Sequence, residues 1–260
     1  MSEKLLSVVG LSKSYDGFPA LKEVGFSLES GQVKAIMGPN GAGKSTLLEI
    51  LSGELEVSSG SIVFTGRDIT DYPVDRTCRL GISYLPQRPS NFPGLTVKEN
   101  VRGAAQTGLI RKNPGDERTT KELLNLVGLE DRAGSAPGEL PYGEKRLLDL
   151  AMALATKPKL LLADEPTAGV DSDASGEILD LLRDLTTAGS GSEFGLDGLV
   201  FTEHDHGVLF DLPDEIGFLR SGELIVEGTP EQLKNHGAVQ EYLVEHQILV
   251  DEKAGSSPNA

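Results

Sequence analysis

The stretch from Gly38 to Thr46 constrains the fold of this chain more than any other segment. It fits the pattern G-x-x-x-x-G-K-[S/T] at every fixed position. Its glycines let the backbone curl so that several N–H groups converge on one point, as a polyphosphate requires. Lys44 adds a positive charge, and the Ser45 hydroxyl is a ligand for Mg²⁺. The pattern predicts an ATP-type triphosphate site formed by Gly38, Pro39, Asn40, Gly41, Ala42, Gly43, Lys44, Ser45 and Thr46.

The residues on either side of this loop support the same prediction. Residues 32–37 (QVKAIM) form a short apolar run typical of a buried strand, and residues 45–51 (STLLEIL) have the apolar spacing of a helix. A strand, a glycine loop and a helix in this order place the phosphates at a helix N-terminus. Unpaired N–H groups and the helix dipole stabilise anions there.

Composition excludes several classes of protein. The 260 residues carry a net charge of -16, which argues against a nucleic-acid partner, because phosphate backbones require clustered Lys and Arg. One cysteine cannot form an intramolecular disulfide or a Cys-based zinc cluster. No run approaches the roughly 20 apolar residues that span a bilayer. Any membrane part would have to come from a partner.

The remaining chain predicts an α/β fold with a phosphate-loop (RecA-like) core. Alternating patterns at 5–11, 24–30 and 61–66 predict an antiparallel β subdomain, whereas residues 96–155 have helical spacing. Apolar runs at 81–85, 159–163 and 198–202 predict core strands. We therefore expect one domain over residues 1–250, built from a core (1–87 and 157–235), an inserted helical subdomain (88–156) and a C-terminal helix (236–250), followed by a disordered tail (251–260).

Two adjacent acids, Asp164 and Glu165, end the apolar run LLLA. Neighbouring residues on a strand point in opposite directions. This favours Asp164 as a magnesium ligand and Glu165 as the group that faces the γ-phosphate and polarises the attacking water. The alternative is that both acids cap the turn before Pro166.

The order of these motifs resembles the ATP-binding cassette family over about residues 5–243. Besides the phosphate loop, the chain contains DEPTAGVD at 164–171 and LPYGEKR at 140–146, which is similar to the family signature L-S-G-G-Q with proline in place of serine. The resemblance implies a Mg²⁺-dependent ATPase in which two cassettes pair head to tail. Each then offers residues in trans to the nucleotide of the other. These are Leu140, Pro141, Tyr142, Gly143, Glu144 and Asp171.

The same resemblance implies roles for three further residues. Tyr15 matches the aromatic residue that stacks on adenine, and Gln87 matches the glutamine that reaches magnesium and senses the membrane partner. His204 matches the histidine that contacts the γ-phosphate, with His206 as the competing candidate. Together with Lys44 and Glu165, His204 completes the predicted catalytic set.

A single cassette of this length resembles a separate transporter subunit. The resemblance implies a homodimer or a heterodimer with a related ATPase, bound to an integral membrane permease at the cytoplasmic face of the cell membrane. The YGEKR signature, TAGVD and residues 228–246 are similar to ATPases of branched-chain amino-acid and urea importers. Two alternatives remain open: lipopolysaccharide export ATPases, similar at 84–101, and ATPases of iron-sulfur cluster assembly, which share Gly143-Glu144-Lys145.

Overall fold

The computed structural model describes residues 4–106, 117–189, 191–203 and 206–245. Its strands are β1 (Lys4–Tyr15), β2 (Phe18–Glu29), β3 (Gln32–Met37), β4 (Ser59–Phe64), β5 (Arg67–Asp68), β6 (Ile82–Leu85), β7 (Leu160–Asp164), β8 (Gly198–Thr202), β9 (Glu215–Arg220) and β10 (Glu223–Gly228). Its α-helices are α1 (Lys44–Ser52), α2 (Val74–Leu80), α3 (Val97–Ala105), α4 (Glu117–Leu126), α5 (Tyr142–Ala155), α6 (Ser172–Ala188), α7 (His206–Asp211), α8 (Pro230–Lys234) and α9 (Gly237–Glu245).

The strands form two sheets. The smaller sheet is antiparallel, with the order β2-β1-β4-β5. The larger sheet has the order β10-β9-β3-β8-β7-β6, with β10 antiparallel to β9 and every other neighbouring pair parallel. In its centre, Thr202 at the end of β8 is level with Ile36 of β3 and Asp164 of β7. The loops that follow these three strands therefore emerge at one edge, where parallel sheets bind ligands.

The central strands of the larger sheet are buried on both faces. Leu160 and Leu162 of β7 point into a core shared with the antiparallel sheet and α1, whereas Leu161 and Ala163 point into a second core with α3 to α6 and α9. The strand is therefore apolar throughout, as expected for a strand covered on both sides. This packing fixes the edge at which the loops after β3 and β7 meet.

The helices α3, α4 and α5 lie between β6 and β7 in the chain and pack against one another. Thr96 starts α3 with a capping box, accepting from the Glu99 N–H while the Glu99 carboxylate accepts from the Thr96 N–H. The helix α5 then leads through a short turn into β7. One helix thus connects this helical part directly to the strand that ends in Asp164.

The structure confirms the predicted strands and the phosphate-loop helix, with shifts of a few residues at their ends. The sequence prediction did not identify β5, α2, β9, β10, α7 or α8. The predicted C-terminal helix is observed as α9, while residues 246–250 and the predicted tail lie outside the described residues. In the described part of the chain, no helix has the length and apolar character needed to cross a bilayer. The subdomain limits remain predictions.

Candidate nucleotide site

The loop between β3 and α1 requires glycine at two positions. Gly38 has φ 152°, and a Cβ there would lie 2.0 Å from the Leu219 carbonyl oxygen. Gly43 has φ 106°, and its Cβ would lie 2.6 Å from the Ala20 carbonyl oxygen. Gly43 is also the N-cap of α1, which has no side-chain cap. The first N–H groups of α1 are thus available to an anion at the mouth of the loop.

A cavity of about 310 Å³ lies over this helix N-terminus. Its walls combine most of the predicted loop with one residue of β2 and two residues from the loops after β6 and β7. They are Ala20, Asn40, Gly41, Gly43, Lys44, Ser45, Thr46, Gln87 and Glu165. Ala20 was not predicted, because an alanine on a strand carries no chemical signal. Of the predicted loop residues, Gly38, Pro39 and Ala42 do not line the cavity.

Lys44 is held by the loop that precedes it. Its ammonium donates to the carbonyl oxygens of Gly38 at 2.8 Å and Pro39 at 3.2 Å, and the residue is buried. Burial lowers the pKa of Lys44, while the charges of Glu165 and Asp164 act in the opposite direction. Lys44 thus places a desolvated cation at the cavity wall, where it attracts phosphate more strongly than in water.

Asp164 is the last residue of β7 and is buried. The Thr202 hydroxyl donates to one carboxylate oxygen at 2.5 Å, and the Tyr84 hydroxyl donates to the other at 3.5 Å. Burial and the Asp164 charge raise the pKa of Tyr84, which keeps this phenol protonated as a donor. Asp164 is therefore a fixed carboxylate behind the cavity. Its carboxylate, the Ser45 hydroxyl and the Gln87 amide carry oxygen atoms of the kind that Mg²⁺ prefers.

Glu165 differs from the sequence prediction in how it is directed. The strand β7 ends at Asp164, and Glu165 has φ 46°, so strand alternation does not set its direction. Its N–H is shared between the carbonyl and hydroxyl oxygens of Thr202, at 3.1 and 3.0 Å. Gln87 donates through its amide nitrogen to the Glu165 carboxylate at 2.5 Å. A left-handed turn thus brings the carboxylate to the cavity beside Gln87.

Of the remaining predicted residues, none that the structure describes lines this cavity. The Tyr15 ring is exposed near the end of β1, with the Lys13 ammonium 5.3 Å from its centroid. Asp171 is exposed just before α6. His206 is the first residue of α7, and His204 lies outside the described residues. Within the described chain, no group of three or more His, Cys, Asp or Glu residues could hold a metal ion.

The predicted signature forms the start of α5. Pro141 is the N-cap with φ -53° and ψ 159°, and no side chain caps the helix. Tyr142 is exposed, and the Glu144 carboxylate lies 3.1 Å from the Arg132 guanidinium of the same chain. No residue from 140–144 lines the cavity described above. The first turn of α5, like that of α1, therefore has no side-chain cap.

A family model described as ABC transporter matches residues 21–168, more than half of the chain. The chain belongs to the ABC transporter ATP-binding family. A "Probable ABC transporter ATP-binding protein" of Azorhizobium caulinodans is 35% identical over 89% of this cassette and 80% of the relative. The "Lipopolysaccharide export system ATP-binding protein LptB" of Haemophilus influenzae is 33% identical over 91% of the cassette and 95% of the relative.

A solved structure of a dimeric ATP-binding cassette in a post-hydrolysis state, bound to ADP and phosphate, superimposes with a TM-score of 0.77. It is 28% identical to this cassette and covers 86% of it, while the match covers 98% of the solved chain. The predicted fold class is confirmed. The protein is the ATP-binding subunit of an ABC transporter, and its relatives are named for different transport systems, lipopolysaccharide export and molybdate or tungstate import among them.

Proposed function

We propose that this cassette hydrolyses ATP in the cavity over α1, with Glu165 as the general base, and that hydrolysis drives a separate membrane permease. The observation that supports this most directly is the position of the Glu165 carboxylate. Glu165 lines the same cavity as the phosphate loop and Lys44. A carboxylate in this cavity can accept the proton of a water molecule that attacks the γ-phosphate.

The loop provides the binding part of the proposal. The backbone N–H groups at the start of α1 would bind the phosphates, and Lys44 would exchange its two carbonyl partners for phosphate oxygens. Ser45, Gln87 and Asp164 would hold Mg²⁺. The bound ion would neutralise part of the negative charge of the polyphosphate. The exposed ring of Tyr15 would stack on the adenine.

A second cassette, identical or related, would complete the site. The uncapped start of α5 is suited to contact the γ-phosphate held by the partner, through the backbone N–H groups of Tyr142 and Gly143. Leu140, Pro141, Glu144 and Asp171 would line the same contact. His204 is proposed from the sequence alone to contact the γ-phosphate of its own chain.

The replacement Glu165→Gln tests the catalytic assignment. It removes the base and keeps the shape, so we expect ATP turnover to fall by about 100-fold or more while ATP affinity stays within twofold. Glu177→Gln, at an exposed position on α6, is the matched control and should retain full turnover. Normal phosphate release by Glu165→Gln would remove Glu165 from the catalytic role.

For the transported substrate we propose uptake of branched-chain amino acids or of urea and related amides. The YGEKR signature, TAGVD and residues 228–246 support this proposal. A second candidate, export of lipopolysaccharide, is favoured by the relative from Haemophilus influenzae. In either case the permease would hold the cassette at the cytoplasmic face of the membrane.

Purification with the permease and reconstitution in vesicles separates the two candidates. ATP turnover stimulated by leucine or urea supports uptake, and stimulation by lipopolysaccharide supports export. Recovery with a cluster-assembly scaffold and no membrane protein would contradict both.

A further inference from the structure

We propose that Arg146 is a positioning residue that ties the backbone around Glu165 and the loop carrying Gln87 to the helix α5. Through it, the orientation of α5 sets the geometry of hydrolysis. This inference rests on the proposed function, since it assumes that Glu165 is the catalytic base. It adds a residue that lies outside the cavity and acts on the base through the main chain.

The first observation is the set of groups that Arg146 binds. The residue is 1% exposed, although it carries a full positive charge. Its guanidinium donates to the carbonyl oxygens of Pro86 at 2.7 Å and Glu165 at 3.0 Å, with longer contacts to Pro166 at 3.4 Å and Asp164 at 3.5 Å. A planar fork with five N–H donors can serve several carbonyls at once, whereas an ammonium cannot keep this geometry.

The second observation is that Glu165 is fixed from both sides. Its N–H is bound by Thr202, at the end of β8, and its carbonyl oxygen is bound by Arg146. A non-glycine residue at φ 46° is strained and persists only where the surroundings hold it. The Glu165 carbonyl oxygen also accepts from the Ala168 N–H at 3.1 Å, within the turn itself. Arg146 is therefore one of the anchors for the turn that directs the Glu165 carboxylate into the cavity.

The third observation concerns the loop that carries Gln87. Arg146 binds Pro86 immediately before Gln87, and Asp149, one turn later on α5, accepts from the N–H of Ser90 at 3.3 Å. Asp149 is also buried, with a carboxylate oxygen 3.9 Å from the Arg146 guanidinium. One face of α5 thus binds the backbone on both sides of Gln87, at Pro86 and at Ser90. Gln87 in turn donates to Glu165.

These contacts connect the first turn of α5 to the main chain of Glu165. Tyr142, in the first turn of α5, lies one helical turn before Arg146. A helix moves as a unit, so a shift of its uncapped start against a partner nucleotide moves Arg146 and the main chain of Glu165 together. The buried pair Arg146 and Asp149 contributes little to stability of itself, because desolvation offsets the attraction between the charges. Its use is to fix the position of these loops.

The replacement Arg146→Lys keeps the charge and removes the fork. We expect turnover of MgATP to fall by about tenfold or more while the Kd for MgATP stays within twofold, because the phosphate loop itself is unchanged. Amide hydrogen exchange should rise in residues 164–167 and 86–91, with α1 and the antiparallel sheet unchanged. Arg183→Lys, at a partly exposed position on α6, is the control and should show neither effect.

Unchanged turnover in Arg146→Lys, or equal losses of affinity and turnover, would overturn the inference. If Arg146→Lys does not fold, Asp149→Asn provides the second test. We expect a smaller fall in the turnover of MgATP in this variant, again with the Kd for MgATP within twofold of the wild type. If Glu165→Gln still hydrolyses ATP, the proposed function itself is wrong. If Glu165→Gln has lost ATP turnover while Arg146→Lys and Asp149→Asn turn over ATP at the wild-type rate, only the role of Arg146 is wrong.

Discussion

At the scale of single residues, Pro141 is the clearest departure from the family signature. It stands at the N-cap of α5, where serine would offer a hydroxyl, and leaves the first N–H groups without a side-chain cap. A serine cap stabilises a helix by about 0.5 to 2 kcal/mol over a residue that cannot cap. In the proposed dimer these N–H groups contact the partner nucleotide, so the backbone, rather than a hydroxyl, provides the contact.

The replacement Pro141→Ser should therefore raise the free energy of unfolding slightly and change ATP turnover by less than threefold. Pro141→Ala, which adds no hydroxyl, is the control. Urea unfolding and phosphate release at saturating MgATP measure the two quantities. A tenfold rise in turnover with serine but not with alanine would show that the hydroxyl is required and that the native signature is impaired.

At the scale of elements, the start of α5 packs on the loop that joins β7 to α6. The Tyr142 ring lies against Gly169, where an added Cβ would come within 3.1 Å of the ring, and Gly169 has φ 72°. Gly169→Ala therefore combines a close contact with an unfavourable backbone conformation. We expect a loss of about 1 to 2 kcal/mol in unfolding free energy.

Gly176→Ala is the matched control for this prediction, because Gly176 lies within α6 with open space around it. Alanine is the better helix former, so this variant should be unchanged or more stable. Adding Tyr142→Ala to Gly169→Ala should restore only the part of the loss that comes from the ring. Equal stability of Gly169→Ala and the wild type would show that the loop moves freely past α5.

The elements that the sequence predicted well are those with a local cause. The strand β3, the glycine loop and α1 follow from an apolar run, a fixed motif and helical spacing, all within about 20 residues. The strands β9 and β10 were missed because the charged ends of EIGFLR and the alternating exposure of β10 resemble loop sequence. The helix α2 has only Thr77 buried, which leaves almost no apolar pattern to recognise.

Within the site, the sequence predicted which residues take part better than it predicted where their side chains point. The acidic pair after an apolar strand indicates that Glu165 belongs to the site. The left-handed turn at Glu165 depends on Thr202 and Arg146, which lie far from it in the sequence. Arg146 was not selected, because its partners are carbonyl oxygens with no sequence signature. The one available signal was that Arg146 and Asp149 fall on the buried face of α5, among leucines.

At the scale of the whole molecule, the free energy of unfolding depends on pH through carboxyl groups whose pKa changes on folding. Asp149 shows the sign of one contribution: burial raises its pKa to about 6, against partial opposition from the Arg146 charge and from hydrogen bonds. Between about pH 4 and 6 the folded protein keeps this proton while the unfolded chain releases it. The Asp149 contribution to stability is therefore lost as the pH rises through this window.

Asp149→Asn resembles the protonated side chain at every pH. Its stability relative to the wild type should thus increase from pH 4 to pH 7, by up to about 3 kcal/mol. Asp180→Asn, at an exposed position, should show no such trend. Urea unfolding at several pH values measures the difference. A constant difference, or one that decreases with pH, would contradict the raised pKa.

In the proposed mechanism two cassettes close on ATP, and Glu165 then acts as the base in its hydrolysis. Light scattering on Glu165→Gln with MgATP tests this claim most directly, because the variant should bind ATP and remain closed. We predict a particle of twice the 27.6 kDa chain mass with MgATP and a monomer with MgADP. A Glu165→Gln protein that binds MgATP yet stays monomeric, or that hydrolyses it at the wild-type rate, would contradict the account.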